Sequence, residues 1–235
     1  MRELLDQGFA ALGLTPSPTA VDQLLLYADR LLTQNQVMNL TAITQPEQVA
    51  ELHFLDSAAL LTYWSAKGRS LIDVGTGGGF PGLVLKILEP TLQLTLLDSL
   101  GKRVDWLASL CRELGFTDVV CLHARAEELA HDPTYRDGFD AATSRAVASL
   151  PLLCELCLPY VKPGGVLLAM KSEKAREEVS QAARAISVLQ GGAPSLQDYA
   201  LPLSGAVRCL VTIPKAHPTP KGYPRRWSKM QKARI

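Results

Sequence analysis

The sequence predicts an α/β fold: a mostly parallel sheet of seven strands, covered by helices on both faces and preceded by a helical cap. Three observations carry that reading. From Arg69 onward, short apolar runs alternate with helical stretches, the pattern of strand and crossover repeated along a parallel sheet. A glycine-rich turn, "GTGGGFPG", follows the first of these runs directly. The last two runs are separated by only a tight "SGA", so they close the sheet as an antiparallel pair at one edge.

The cap comes first in the chain. In "TAVDQLLLYADRLLTQ" the apolar residues Val21, Leu24, Leu25, Ala28, Leu31 and Leu32 recur at helical spacing and form one stripe. The loop "TPSP" (Thr15–Pro18) separates this helix from a shorter first one, and a third helix is predicted from about Pro46 to Trp64. "SLIDVG" then reads as a buried strand, and "PGLVLKIL" as a helix with Pro81 at its first position. "LQLTLLD", "DVVCLH", "FDAATS" and "GGVLLAMK" are the next four strands. Between them lie "KRVDWLASLCRELG", stopped by Gly115, and "SLPLLCELCLPYV". The long helix "EKAREEVSQAARAISVLQGG" leads to the closing pair "QDYALPL" and "AVRCLVTIP". The division expected is a cap over 1–66, a sheet domain over 67–214 and a tail over 215–235.

The chain of 235 residues, with 47% apolar and 20% charged residues, fits one large soluble domain or one domain with an extension. No apolar run approaches the ~20 residues of a membrane helix, and the N-terminus does not read as a signal peptide. Five cysteines, an odd number in apolar settings, suit reduced thiols and a cytoplasmic location. Net charge is +1, but the charge is uneven: no acid follows Asp198, while eight cations do, among them Lys215, Lys221, Arg225, Arg226 and Arg234. Such an end suggests a polyanionic partner, with a solvated tail as the plain alternative.

The glycine loop decides the ligand class. Counted from Gly77, it satisfies the dinucleotide pattern G-x-G-x-x-G, yet that pattern should begin directly after the strand. The glycine following Val74 is Gly75, and from there the sixth position is Phe80. Asp73 lies near the expected loop entrance, where it would repel a pyrophosphate and tolerate a cationic ligand. Asp98, 23 residues beyond Gly75, ends the second strand, where a carboxylate can accept hydrogen bonds from ribose hydroxyls. Ala126 and Glu127 after the third strand, and Ser144 and Arg145 at the end of the fourth, reach the same sheet edge. A phosphate-free nucleoside with a cationic end, S-adenosylmethionine, fits this set, and the strand count fits the seven-stranded methyltransferase variant of the Rossmann-like fold.

Seven motifs occur in order: "NLTAI", "H-x-x-DS" (His53, Asp56, Ser57), "IDVGTGGGFPG", "LLDS-x-x-KR", "RAE", "SRAVA" and "PTP-x-x-YPR". Over about residues 35–226 the chain resembles the bacterial small-subunit rRNA guanine-N7 methyltransferase family, also called glucose-inhibited division protein B. The resemblance implies a class I fold and S-adenosylmethionine held against Gly75, Gly77, Phe80, Asp98, Ser99, Ala126, Glu127 and Arg145. It implies as substrate a guanine in a 16S rRNA hairpin loop near the decoding centre, on free rRNA or the small subunit, with the enzyme a monomer. The ending "RRWSKMQKARI" departs from the Gly/Pro/Lys-rich run closing on Pro-Leu that is common in that family.

Guanine N7 carries a lone pair and no proton, so no catalytic acid or base is nominated. Arg145 is expected to bind the cofactor or a backbone phosphate, and Lys162, Lys171 and Arg103 to extend a positive surface or stand solvated. His53, Asp56 and Ser57 share a helix face; they line the pocket or tie the cap to the sheet. Cys154 and Cys157 have C-x-x-C spacing within an apolar helix and read as buried thiols, so no metal site is expected. The alternatives are a methyltransferase acting on another RNA or a small molecule, a non-catalytic RNA-binding protein, and, more distantly, a nicotinamide-dependent oxidoreductase.

Overall fold

The computed structural model describes residues 1–233 and 235; Arg234, one of the C-terminal cations, lies outside the described residues. Seven strands form one sheet in the order β3-β2-β1-β4-β5-β7-β6. They are β1 (Ser70–Val74), β2 (Gln93–Asp98), β3 (Val120–His123), β4 (Phe139–Arg145), β5 (Val161–Lys171), β6 (Ser195–Ala200) and β7 (Val207–Pro214). β1 to β5 are parallel, while β7 runs antiparallel between β5 and β6. The closing pair therefore inserts its second strand first, and β6 becomes the edge. It starts at Ser195, two residues before the expected run, and ends before Pro202, which has no amide to give to a ladder.

Helices α5 (Gly82–Leu88) and α6 (Gly101–Glu113) lie on one face of the sheet, and α8 (Leu150–Cys157) and α9 (Ala175–Val188) on the other. The short α7 (Ala126–Leu129) follows β3. The central strands are buried on both faces, which is why their apolar residues run without an in–out alternation, even though Asp73, Thr95, Thr143 and Ser144 are buried among them.

The cap consists of α1 (Arg2–Ala11), α2 (Pro18–Met38) and a helical run over residues 46–62. Ser17 caps α2 by accepting from the Ala20 amide at 3.1 Å, with Pro18 in the first turn. Val21, Leu24, Ala28 and Leu31 of its stripe are buried, as is Tyr27 beside them, where α2 packs on α5 and α6. The run expected as one helix from Pro46 is wound in four pieces. α3 (Pro46–Gln48) leads into a π-helical segment (Val49–Leu55), then α4 (Asp56–Ala58) and a 3₁₀ turn (Ala59–Thr62). A π segment carries a locally wider turn, a feature frequent at functional sites. Here it contains His53 and is followed by Asp56.

Candidate active site

The glycine loop between β1 and α5 is held from within. The amides of Gly75 and Thr76 both donate to the Leu97 carbonyl, at 2.8 and 3.0 Å, and that of Gly77 donates to Asp98 Oδ2 at 2.9 Å. Those of Gly79 and Phe80 donate to the Thr76 carbonyl, at 2.9 and 3.1 Å, and that of Gly82 to Asp73 Oδ2 at 2.9 Å. A pyrophosphate cradle needs such amides free and convergent on the anion. This loop has engaged them, so a phosphate-free ligand is the right expectation. Gly82, the residue that completed the apparent fingerprint, has a packing role: a Cβ there would lie 2.9 Å from that of Asp73.

Asp73 itself requires a correction. It does not stand at the loop entrance; it is fully buried beneath the loop, with Oδ2 also accepting from Thr76 Oγ1 at 2.7 Å. Burial pushes its carboxyl up to about 6, opposed by the bonds from Thr76 and Gly82. Its work is to shape the turn, not to meet a ligand.

All eight residues expected at the cofactor line a single cavity of about 480 Å³. Gly75, Gly77 and Phe80 come from the loop, Asp98 and Ser99 from the end of β2, Ala126 and Glu127 from α7, and Arg145 from the end of β4. Asp98 is 5% exposed; besides Gly77 it accepts from the Leu100 amide at 2.9 Å, which leaves each carboxylate oxygen with further accepting capacity. The Gly77 Cβ position faces open space, so a ligand can approach the backbone there. Trp227, from the short C-terminal helix α10 (Trp227–Lys232), also lines the cavity, and sequence reasoning did not place it there.

Arg145 lines the cavity, and its guanidinium is bonded within the protein. Nη1 donates to the Leu52 carbonyl at 2.7 Å and to Asp56 Oδ2 at 3.2 Å, and Nη2 lies 2.8 Å from His53 Nδ1. Its guanidinium also lies 5.1 Å from the Phe80 ring centroid. Those contacts tie the π segment of the cap to the sheet edge, so the cation is largely engaged rather than free for a phosphate. Phe80 in turn is stacked between Tyr27, at 5.1 Å, and His53, at 4.3 Å, while the Tyr27 hydroxyl donates to the Gly78 carbonyl. Burial, and then the Arg145 charge, lower His53 to about 3, so the ring is neutral at physiological pH.

A second cavity of about 470 Å³ adjoins the first and shares His53, Arg145 and Ala146 with it. Asp56, Lys171, Tyr199 and Arg208 complete its polar wall. Asp56 also accepts from the Tyr199 hydroxyl at 2.8 Å. The His53–Asp56 pair therefore does both things considered for it: it lines the pocket and joins the cap to β4 and β6.

The surface cations are also less free than expected. Lys162 pairs with Asp140 at 2.7 Å, Lys171 with Glu178 at 2.8 Å, and Arg103 lies 3.8 Å from Asp98. Lys215 is buried, with Nζ donating to the Leu158 carbonyl and Thr219 Oγ1, and Arg225 is locked on Glu155. Cys154 and Cys157 are buried free thiols, and no metal-ligating cluster occurs among the described residues. No described helix is long and apolar enough to cross a membrane.

A model of the rRNA small subunit methyltransferase G family (GidB) matches residues 20–200. The chain belongs to this family. Among curated relatives, the ribosomal RNA small subunit methyltransferase G of Alkaliphilus metalliredigens is 45% identical over 95% of this chain and 94% of its own length. That of Acetivibrio thermocellus is 42% identical over 99% and 96%. Solved structures share the fold at low identity. An O-methyltransferase from Bacillus cereus in complex with SAH matches with a TM-score of 0.54 at 16% identity, over 81% of this chain and 91% of that one. A SAM-dependent methyltransferase from Aquifex aeolicus matches with a TM-score of 0.53 at 16% identity, over 74% and 96%. The fold of this family member is thus the Rossmann-like class I methyltransferase fold that the sheet order suggested.

Proposed function

We propose that the protein transfers a methyl group from S-adenosylmethionine to N7 of a guanine in a 16S rRNA hairpin loop, acting as a monomer in the cytoplasm. The observation that carries the reading is the pair of adjoining cavities with a common wall at His53, Arg145 and Ala146. One is sized for a nucleoside and has a glycine loop most of whose amides are bonded within the protein; the other would receive the target base.

The residues present fit the cofactor. Asp98 would accept from the ribose hydroxyls, Ala126 and Glu127 would border the adenine, and the opening at Gly77 would admit the remainder along the loop. Bound there, S-adenosylmethionine supplies an electrophilic methyl group on a sulfonium. The protein's share is then alignment and exclusion of water, because N7 attacks through its own lone pair and needs no base. His53 suits such a role, being neutral, with both ring nitrogens already engaged by Arg145 and Thr41. Asp56 offsets the Arg145 charge, which would otherwise oppose the positive charge gained by the base.

The test is to incubate the protein with methyl-labelled S-adenosylmethionine and 16S rRNA lacking the modification, as free RNA and as small subunits, and to map the label. Label on N7 of one guanine is expected. Label on an exocyclic amine or a ribose, or none on either substrate, would overturn the assignment.

A further inference from the structure

The C-terminal end reads from sequence as a basic extension for a polyanion, yet the structure ties it down between Lys215 and Met230. After β7, Arg136 donates from Nη1 to the Tyr223 carbonyl at 2.7 Å and from Nη2 to the carbonyls of Thr219 and Pro220, at 3.0 and 3.1 Å. Asp137 accepts from Thr219 Oγ1 at 2.7 Å, and His131 Nε2 lies 2.9 Å from the Pro224 carbonyl. Glu155, 1% exposed on α8, takes three bonds from Arg225: from the amide at 2.8 Å, from Nε at 2.8 Å and from Nη2 at 2.7 Å. Two residues beyond that clamp, Trp227 lines the first cavity, which Ala126, Glu127 and Leu156 also line, and Met230 is buried in the core.

We infer that residues 215–233 form a strap that is a working wall of the cofactor cavity, with Trp227 closing the side that receives the adenine and the Arg225–Glu155 clamp setting its position. This rests on the reading of that cavity given above. A solvated tail would not need a bidentate carboxylate pair drawn from a helix 70 positions earlier in the chain. Nor would a segment devoted to phosphates place its only tryptophan inward while Arg226, Lys229 and Lys232 stay exposed. An indole in that wall offers a flat apolar face to a base, a contact that is tolerant of base identity and dry.

The test uses the full chain and titrates S-adenosylhomocysteine by calorimetry, with thermal melts confirming that each variant is folded. Trp227→Ala should bind about tenfold more weakly than the parent, and Arg225→Lys, which keeps charge but loses the fork, should weaken binding several-fold. Trp227→Phe should retain most of the affinity and lose the ligand-dependent change in tryptophan fluorescence, leaving only Trp64 and Trp106 to report. Trp227→Ala binding like the parent while Asp98→Asn weakens would overturn the strap inference alone, as would weakened binding of rRNA only. Failure of the parent to bind S-adenosylhomocysteine at all would overturn the cofactor reading, and the strap inference with it.

Discussion

Replacing His53 by glutamine should uncouple part of the protein's stability from pH. The imidazole is 7% exposed, stacked on Phe80, with Nδ1 facing the Arg145 guanidinium at 2.8 Å and Nε2 facing Thr41 Oγ1 at 2.8 Å. Protonating Nδ1 would destroy an acceptor and set two cations in contact. Burial and the arginine hold the group at about 3, against an ordinary value of 6.5. The unfolded chain therefore takes up this proton below about pH 6.5, whereas the folded chain does so only below about pH 3. Stability from the neutral ring is complete above pH 6.5 and is lost as pH falls towards 3; by pH 5 the loss is roughly 2 kcal/mol. Asp73 acts in the opposite sense. Raised to about 6 by burial, it binds a proton in the folded chain before it does in the unfolded one, which returns about 1 kcal/mol over the same interval. Urea denaturation of parent and His53→Gln at pH 8 and pH 5 separates the two, since every other titrating group is common to both proteins. The destabilisation caused by the substitution should be about 2 kcal/mol smaller at pH 5 than at pH 8. An identical difference at both pH values would refute the reasoning.

Gly79→Ala places a Cβ at φ +98° and 2.5 Å from the Tyr27 hydroxyl, and should cost about 2–3 kcal/mol in thermal melts. Tyr27→Phe removes only the bond to the Gly78 carbonyl while keeping the stack on Phe80, so a loss of about 1 kcal/mol is expected from the same assay. Glu155→Ala leaves Arg225 without its carboxylate and should cost about 3 kcal/mol, with the segment after Lys221 becoming sensitive to trypsin. Asp98→Asn turns an amide group towards a backbone donor at Gly77 or Leu100, and should weaken S-adenosylhomocysteine at least about tenfold by calorimetry.

Periodicity made the sheet legible. Runs such as Leu71–Val74 and Leu94–Leu97 are mostly apolar and do not alternate, because they are buried on both sides, with Asp73 and Thr95 as their buried polar exceptions, and the missing crossover before β7 announced its reversed direction. That the loop and strand-end residues would meet in one cavity was legible for a related reason: in a parallel sheet, all carboxyl ends open on one edge. Depth was not legible. Asp73 and Asp98 each stand near a strand end, and only three-dimensional packing puts the first under the loop and the second in the cavity wall. Long-range pairing was also hidden. Glu155 lies in an apolar helix and Arg225 in a basic segment, and neither stretch carries a local sign of the other. Lys86 is a similar case: it sits in an apolar run, yet its ammonium is buried against the carbonyls of Pro90 and Leu92 and the Asp118 carboxylate. The π segment at Val49–Leu55 left no periodic trace because nearly all of its residues are buried.

The internally bonded glycine loop bears on turnover. The amides of Gly75, Thr76, Gly77, Gly79, Phe80 and Gly82 have partners within the protein, so a ligand entering the proposed cofactor cavity meets a loop that is already largely ordered. On the proposed reading of the cavity, product release is then governed at its wall, where Trp227 and Ala146 stand. In kinetic terms the loop is a fixed stator. A substitution that speeds or slows exchange without altering equilibrium stability belongs in that wall.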